Sequence, residues 1–188
     1  MQFLRMQNDR KPAYESLKPG RALTGRTSKP RLTSGVDPLT TEQRQLNMSR
    51  VRAKDTKPEM LIRRALHAKG FRYRLHVSKL PGRPDMVFAS SRAIIFVHGC
   101  FWHGHHCPLF RLPATRMEFW AEKISKNRSR DDAAQSALRN SGWRVLTIWE
   151  CAVRGPARRS VPDVVADAQA FILSDIEQAA IEGSWTAT

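Results

Sequence analysis

Ala93-Ile-Ile-Phe-Val-His-Gly-Cys-Phe-Trp-His-Gly-His-His-Cys107 runs a continuously apolar pentapeptide straight into ten residues that hold two thiols, four imidazoles and two adjacent aromatic rings. Five apolar residues without alternation are too short for a buried helix and read as a strand covered on both faces, the centre of a sheet. The segment from His98 to Cys107 has neither a strand's period nor a helix's. It concentrates soft metal ligands, proton carriers and stacking rings. The first half therefore predicts a core strand, and the second a site at that strand's C-terminal end.

The flanks supply the rest of a sheet. Upstream, Asp85-Met-Val-Phe88 is a short apolar strand entered through the Leu80-Pro-Gly-Arg-Pro turn, and Phe71-Arg-Tyr-Arg-Leu-His-Val77 alternates as a half-buried strand. Residues Thr40 to Lys54 suit a helix. A better-marked helix follows, with Asp55-Thr56 as cap, Pro58 and Glu59 in its first turn, Leu61, Ile62, Ala65 and Leu66 at helical spacing, and Gly70 as its stop. Downstream, Arg116 to about Asn140 is a long, polar, basic helix stopped by Ser141-Gly142. Trp143-Arg-Val-Leu-Thr-Ile-Trp149 is a fourth strand, and Val161 to Ile176 a terminal helix with Val164, Val165, Ala168, Phe171 and Ile172 on one face. This order predicts an α/β domain with a mixed central sheet flanked by helices. Residues 1–38, rich in Pro and basic residues without apolar periodicity, read as a flexible basic arm, 39–156 as the main domain, and 157–188 as a helix and tail packed on it.

The 188 residues include 32 Lys+Arg against 17 Asp+Glu, a formal charge of +15, which points to a polyanionic partner, nucleic acid first. No segment approaches the roughly 18 apolar residues of a membrane span, and the N-terminus lacks an uninterrupted apolar signal core. Three cysteines are an odd number, which disfavours a disulfide framework and fits a reducing, cytoplasmic setting.

Cys100, His105 and Cys107 offer three ligands from one loop. Cys151, at the end of the fourth strand, completes a closed tetrahedral zinc site if that strand neighbours the third. Three thiolates and no open position make such a site structural. His106 competes with His105 as the nitrogen ligand, and spacing alone does not choose between them. Asp85, entering its strand beside the end of the strand that reaches Val97 and His98, can hold Mg²⁺ through few protein ligands and many waters. Alone, a Pro-Asp pair before a strand is more often an ordinary turn.

Leu80-Pro-Gly-Arg-Pro-Asp, Phe96-Val-His-Gly-Cys-Phe-Trp-His, Pro113-Ala-Thr-Arg, Glu118-Phe-Trp-Ala-Glu-Lys-Ile, Gly142-Trp-Arg-Val-Leu and Ile148-Trp-Glu-Cys-Ala occur in one order over residues 40–155. This series resembles the very short patch repair (Vsr) DNA mismatch endonucleases. The resemblance implies a restriction-endonuclease-like fold with a structural zinc loop. It also implies a Mg²⁺-dependent enzyme that nicks DNA beside the thymine of a T:G mismatch arising from 5-methylcytosine deamination. Carried over by position, Asp85 is the Mg²⁺ carboxylate, the backbone carbonyl of Val97 a second ligand, and His103 the base that activates water. His98 is a second active-site histidine, and Glu59 and Asp131 are supporting acids. Zinc falls to Cys100, His105, Cys107 and Cys151. Phe101, Trp102 and Trp120 match intercalating aromatics, which enter a weakly paired step most easily. Val97 and Gly104 stand where threonine and histidine are common in the family.

The resemblance further implies a monomer in the bacterial cytoplasm at the nucleoid, acting on double-stranded DNA alongside mismatch-repair proteins. Lys123, Lys126, Arg128 and Arg130 would set phosphate register. The alternatives are a nuclease of this fold for another mismatch or deaminated base, and a zinc-stabilised module that binds mismatches without cutting.

Overall fold

A computed structural model describes residues 40–49 and 54–185. The basic arm 1–38 lies outside them. A helix α1 (Thr41–Ser49) is followed by α2 (Lys57–Ala68), β1 (Arg74–Leu75), β2 (Met86–Phe88), β3 (Ala93–His98), α3 (Met117–Asn140), β4 (Arg144–Trp149), α4 (Val161–Leu173) and β5 (Gln178–Ile181). A 3₁₀ turn, Glu150–Ala152, leaves β4. The strands form one sheet in the order β1-β2-β3-β4-β5; β1, β2 and β3 pair antiparallel, while β3, β4 and β5 pair parallel. The architecture is mixed α/β, and the apolar pentapeptide lies in the middle strand, as its lack of alternation requires. No helix among the described residues is long and apolar enough to cross a membrane.

Local chemistry sets the helix ends. Thr56 caps α2 in a capping box: its hydroxyl accepts from Glu59 N–H, and the Glu59 carboxylate accepts from Thr56 N–H. Ser160 caps α4 by accepting from Asp163 N–H, with Pro162 in the first turn. Helix α3 stops where Gly142 takes φ +76°, a conformation that favours glycine.

The period of two in β3 sorts its residues between two cores. Ala93 and Ile95 join Met86, Phe88, Leu146 and Ile148 beneath α2 and α4, with Ile62, Leu66, Val164, Phe171 and Ile172. Ile94 and Phe96 face the other way, packing with Val87, Val145 and Leu138 of α3. By the same alternation His98 emerges on the α3 side, where its ring meets Phe96 at 5.4 Å between centroids.

Three expectations need correction. The strand predicted over Phe71–Val77 shrinks to Arg74–Leu75, because His76 takes φ +45° and leaves extended geometry. The last helix ends at Leu173 rather than Ile176, since Ser174 is extended. The tail after it holds a fifth strand: Gln178-Ala-Ala-Ile181 has weak intrinsic strand preference, and pairing to the open edge of β4 decides it.

Arg144 ties these layers together. Its guanidinium donates to the carbonyls of Phe171 (2.6 Å) and Ile172 (2.9 Å) at the C-terminus of α4, and to Ser91 (2.7 Å) before β3. Arg144→Met keeps the apolar stem and leaves three part-buried carbonyls without that donor. Unfolding in urea should show a loss of about 2–3 kcal/mol with an unchanged m-value; an unaltered midpoint would mean that water replaces these bonds without loss.

Candidate active site and metal centre

The parallel register of β3 and β4 sets His98 opposite Trp149, so both strands end at one level and their following segments start side by side. The loop after β3 returns His103 onto His98: the rings stack at 3.8 Å with 6° between planes. His103 Nδ1 lies 2.5 Å from Asp131 Oδ2 on α3. A carboxylate on Nδ1 leaves Nε2 as the nitrogen able to take a proton, the arrangement of an oriented general base. His98 itself is buried, and burial, together with the neighbouring His103 charge, pushes its pKa down to about 3. It is therefore a neutral ring near pH 7, packed among Phe96, His103 and Trp149.

Asp85 faces this pair across an open cleft of about 460 Å³ whose wall also includes Lys54, His76 and Arg83. Its Oδ2 accepts from Val97 N–H at 2.7 Å. Burial, with the nearby Glu59 carboxylate adding to it, raises the Asp85 pKa to about 6 despite that bond. Glu59 is almost fully buried and has two tasks. Besides capping α2, its Oε1 lies 3.2 Å from Arg63 and 3.3 Å from His76 Nε2. His76 Nδ1 reaches to 3.9 Å from Asp85 Oδ1, so this ring stands between the two acids. Sequence reading missed His76 because it lies in a stretch patterned as strand; only the φ +45° bend turns it into the cleft.

Cys100, His105, Cys107 and Cys151 converge, with one ligand atom from each within 4.8 Å of the others. His105 Nδ1 is 3.6 Å from Cys100 Sγ and 3.5 Å from Cys151 Sγ. Zinc bonds of about 2.3 Å to sulfur and about 2.0–2.1 Å to nitrogen at the tetrahedral angle place those atoms about 3.6 Å apart, so the donor set fits such an ion. His106 is exposed and outside the cluster. The Cys151 thiol is held below the ordinary thiol range, chiefly by the hydrogen bond from Cys100, with His105 and Gly183 N–H also favouring thiolate. Gly104 lies in the left-handed region at φ +60°, and a Cβ there would sit 2.6 Å from Ile124. The loop therefore packs against α3 with no room for a side chain in this conformation.

Phe101, Trp102 and Trp120 form a half-exposed edge-to-face cluster, with centroids 5.1, 5.3 and 6.1 Å apart. Lys123 Nζ lies 5.5 Å from both indole centroids, and Arg116 stacks over exposed Phe119 at 4.2 Å. Asn127 donates to the Trp102 carbonyl at 2.9 Å, fixing the loop to α3. Among the expected phosphate contacts, Lys126 is paired with Glu122, Arg130 donates to Asn127, and Arg128 packs near Gly104. Trp149, the last residue of β4, stacks on His105 at 4.0 Å and 10°.

Comparison with known proteins places the sequence. The model of the family described as DNA mismatch endonuclease Vsr matches residues 36–109. A type II nicking enzyme, V.XorIIP of Xanthomonas oryzae pv. oryzae, is 50% identical over 116 residues, covering 62% of this chain and 85% of that protein. The DNA mismatch endonuclease Vsr of Escherichia coli K12 is 51% identical over 112 residues, covering 60% and 72% respectively. Type II nicking enzyme V.NmeAIP of Neisseria meningitidis serogroup A is 40% identical over 122 residues, covering 65% and 87%.

The raised pKa of Asp85 has a consequence for stability. A carboxyl with a folded pKa above its unfolded value near 3.8 imposes no penalty below pH 3.8; the penalty grows as pH rises towards about 6 and is full above it. Asp85→Asn keeps an acceptor for Val97 N–H and removes the charge. It should stabilise the protein, measured without added Mg²⁺, by up to about 3 kcal/mol at pH 7, and by little near pH 4. Equal melting temperatures for the two proteins at pH 7 would show that the carboxylate is not penalised there.

Proposed function

The chain belongs to the Vsr family of DNA mismatch endonucleases, and from that premise we propose that it is a Mg²⁺-dependent, strand-specific enzyme that nicks duplex DNA beside the thymine of a T:G mismatch left by deamination of 5-methylcytosine. The observation that carries this reading is the His103–Asp131 pair, stacked on neutral His98 and facing Asp85 in one cleft.

Two acids, Asp85 and Glu59, kept from water and repelling one another suit a divalent cation. Asp85 and the Val97 carbonyl would hold Mg²⁺, with Glu59 and His76 placed to meet its water shell. When bound, the ion neutralises charge on the scissile phosphate and leaving oxygen. His103, fixed by Asp131, takes a proton from the attacking water at Nε2. The water oxygen bonds to phosphorus as the bond to the leaving sugar oxygen breaks. His98, too buried to ionise, supports the His103 ring by stacking and offers a neutral ring to the phosphate or leaving group.

Cys100, His105, Cys107 and Cys151 would hold Zn²⁺ in a closed structural site, supported by sulfur–nitrogen spacings that fit tetrahedral geometry. The loop they brace carries Phe101 and Trp102, which with Trp120 form the wedge entering beside the mispair; a wobble step is the cheaper one to unstack. The partner is double-stranded DNA, met by a monomer at the bacterial nucleoid, with mismatch-repair proteins acting on the nicked product. The formal charge of +15 supports a polyanionic partner.

The test uses end-labelled duplexes identical except for T:G, T:A or another mismatch at one position. With Mg²⁺, a nick beside the thymine of the T:G duplex alone is expected. Tight mismatch binding without cleavage would reassign the protein to recognition only, and cleavage of another mismatch would change the substrate. His103→Ala should lower the nicking rate by roughly 10²–10⁴-fold while mismatch binding persists; wild-type cutting by this variant would remove His103 from the chemistry.

Discrimination is a separate property. Trp102→Ala should reduce the preference for T:G over T:A duplex by roughly tenfold, in line with about 1–3 kcal/mol for one base–aromatic stack. Unchanged discrimination in competition binding would discard the wedge.

A further inference from the structure

The segment after β5 lies beyond the motifs that carry the family resemblance, yet it closes over the Cys/His cluster. Parallel pairing sets Ile181 opposite Ile148, so Glu182 follows at the level of Trp149, where β4 ends. Glu182 Oε2 is 3.0 Å from His105 Nε2. Gly183 N–H donates to Cys151 Sγ at 3.4 Å, and Ser184 N–H to the Ala157 carbonyl at 2.8 Å. Trp185 meets the His105 ring edge-on, with centroids 5.6 Å apart at 79°. The approach is close: a Cβ on Gly183 would lie 2.6 Å from the carbonyl oxygens of both Ala157 and Cys151.

We infer that Glu182-Gly-Ser-Trp185 is the outer wall of the metal centre, with Glu182 the residue that orients His105 as its nitrogen ligand. This rests on the zinc reading above. A carboxylate at Nε2 accepts the ring proton there, which leaves the Nδ1 lone pair directed at the two sulfurs and makes it a stronger donor. Gly183 N–H stabilises negative charge on Cys151 sulfur, and Trp185 with Trp149 encloses the imidazole on its edge and face. Glu182 is thus a positioning residue for the metal, supplied by the segment that leaves β5, in a stretch that sequence reading took for a tail.

The test measures zinc, not cleavage, in the full-length protein. Wild type should purify with stoichiometric zinc. Glu182→Ala should yield it to a chromogenic chelator with apparent affinity lowered roughly 10–100-fold, and the isosteric Glu182→Gln, which preserves shape and an acceptor, should fall between. In cobalt-substituted protein, the visible bands of the Cys₃His centre should shift in Glu182→Ala. Asp167→Ala, which breaks the pair between Asp167 of α4 and Arg159 just before that helix, outside the centre, serves as the stability control and should retain zinc. Wild-type zinc affinity and an unshifted cobalt spectrum in both Glu182 variants would overturn the inference while leaving the zinc site standing. Equal zinc loss in Asp167→Ala would also overturn it, as general loosening. Zinc-free wild type, by contrast, would remove the zinc reading itself and this inference with it.

Discussion

The parallel pairing of β3 with β4 through His98 and Trp149 is the constraint on which the site depends. Two strands running the same way and ending at one level must release their chains at the same edge of the sheet. Cys100 and Cys151 each stand two residues beyond those last pairs, and Cys151 N–H lies 3.3 Å from Cys100 Sγ. β5 adds a third chain at this edge, bringing Glu182 and Gly183. None of these residues could be brought together by local sequence, because they come from segments about fifty and eighty positions apart. Sheet register does it, and register is itself held by the apolar side chains buried on both faces.

Strand alternation does the second part. It sends His98 towards α3, where Asp131 waits to orient His103, and it leaves the opposite face to the core beneath α2 and α4. The result is a packed series of rings: His105 on Trp149, Trp149 against His98, His98 on His103. The half of the loop that carries the Cys/His cluster and the half that carries His103 are therefore parts of one packed body. Close-packed side chains tolerate little independent movement, so bracing one half restrains the other.

The cleft also shows where stability is given up. Glu59 and Asp85 are acids removed from water near one another, answered among the described residues by His76, Arg63, His103 and backbone donors. A chain of formal charge +15 could have neutralised these acids with more cations. Their retention makes chemical sense if a cation and a phosphate complete the site.

The chain itself announced the middle strand, the capped helix at Thr56 and the long helix from Arg116. It also announced the cysteine–histidine loop, because a short unbroken apolar run, a capping box and soft ligands at close spacing are local signals. The order of motifs pointed to the family, which the comparisons then showed. What it could not announce were the outcomes of long-range packing. These are the bend at His76, the choice of His105 over exposed His106 in the cluster, the stack of Trp149 on His105, and the conversion of Gln178–Ile181 from tail to strand. A weak strand former becomes a strand when a neighbouring edge offers unpaired N–H and C=O groups. An imidazole joins a cluster according to which side of a folded loop it occupies. Residue type and spacing thus determined which chemistry was present, and only the tertiary structure decided which atoms meet, because register and burial are properties of the whole sheet rather than of any segment in it.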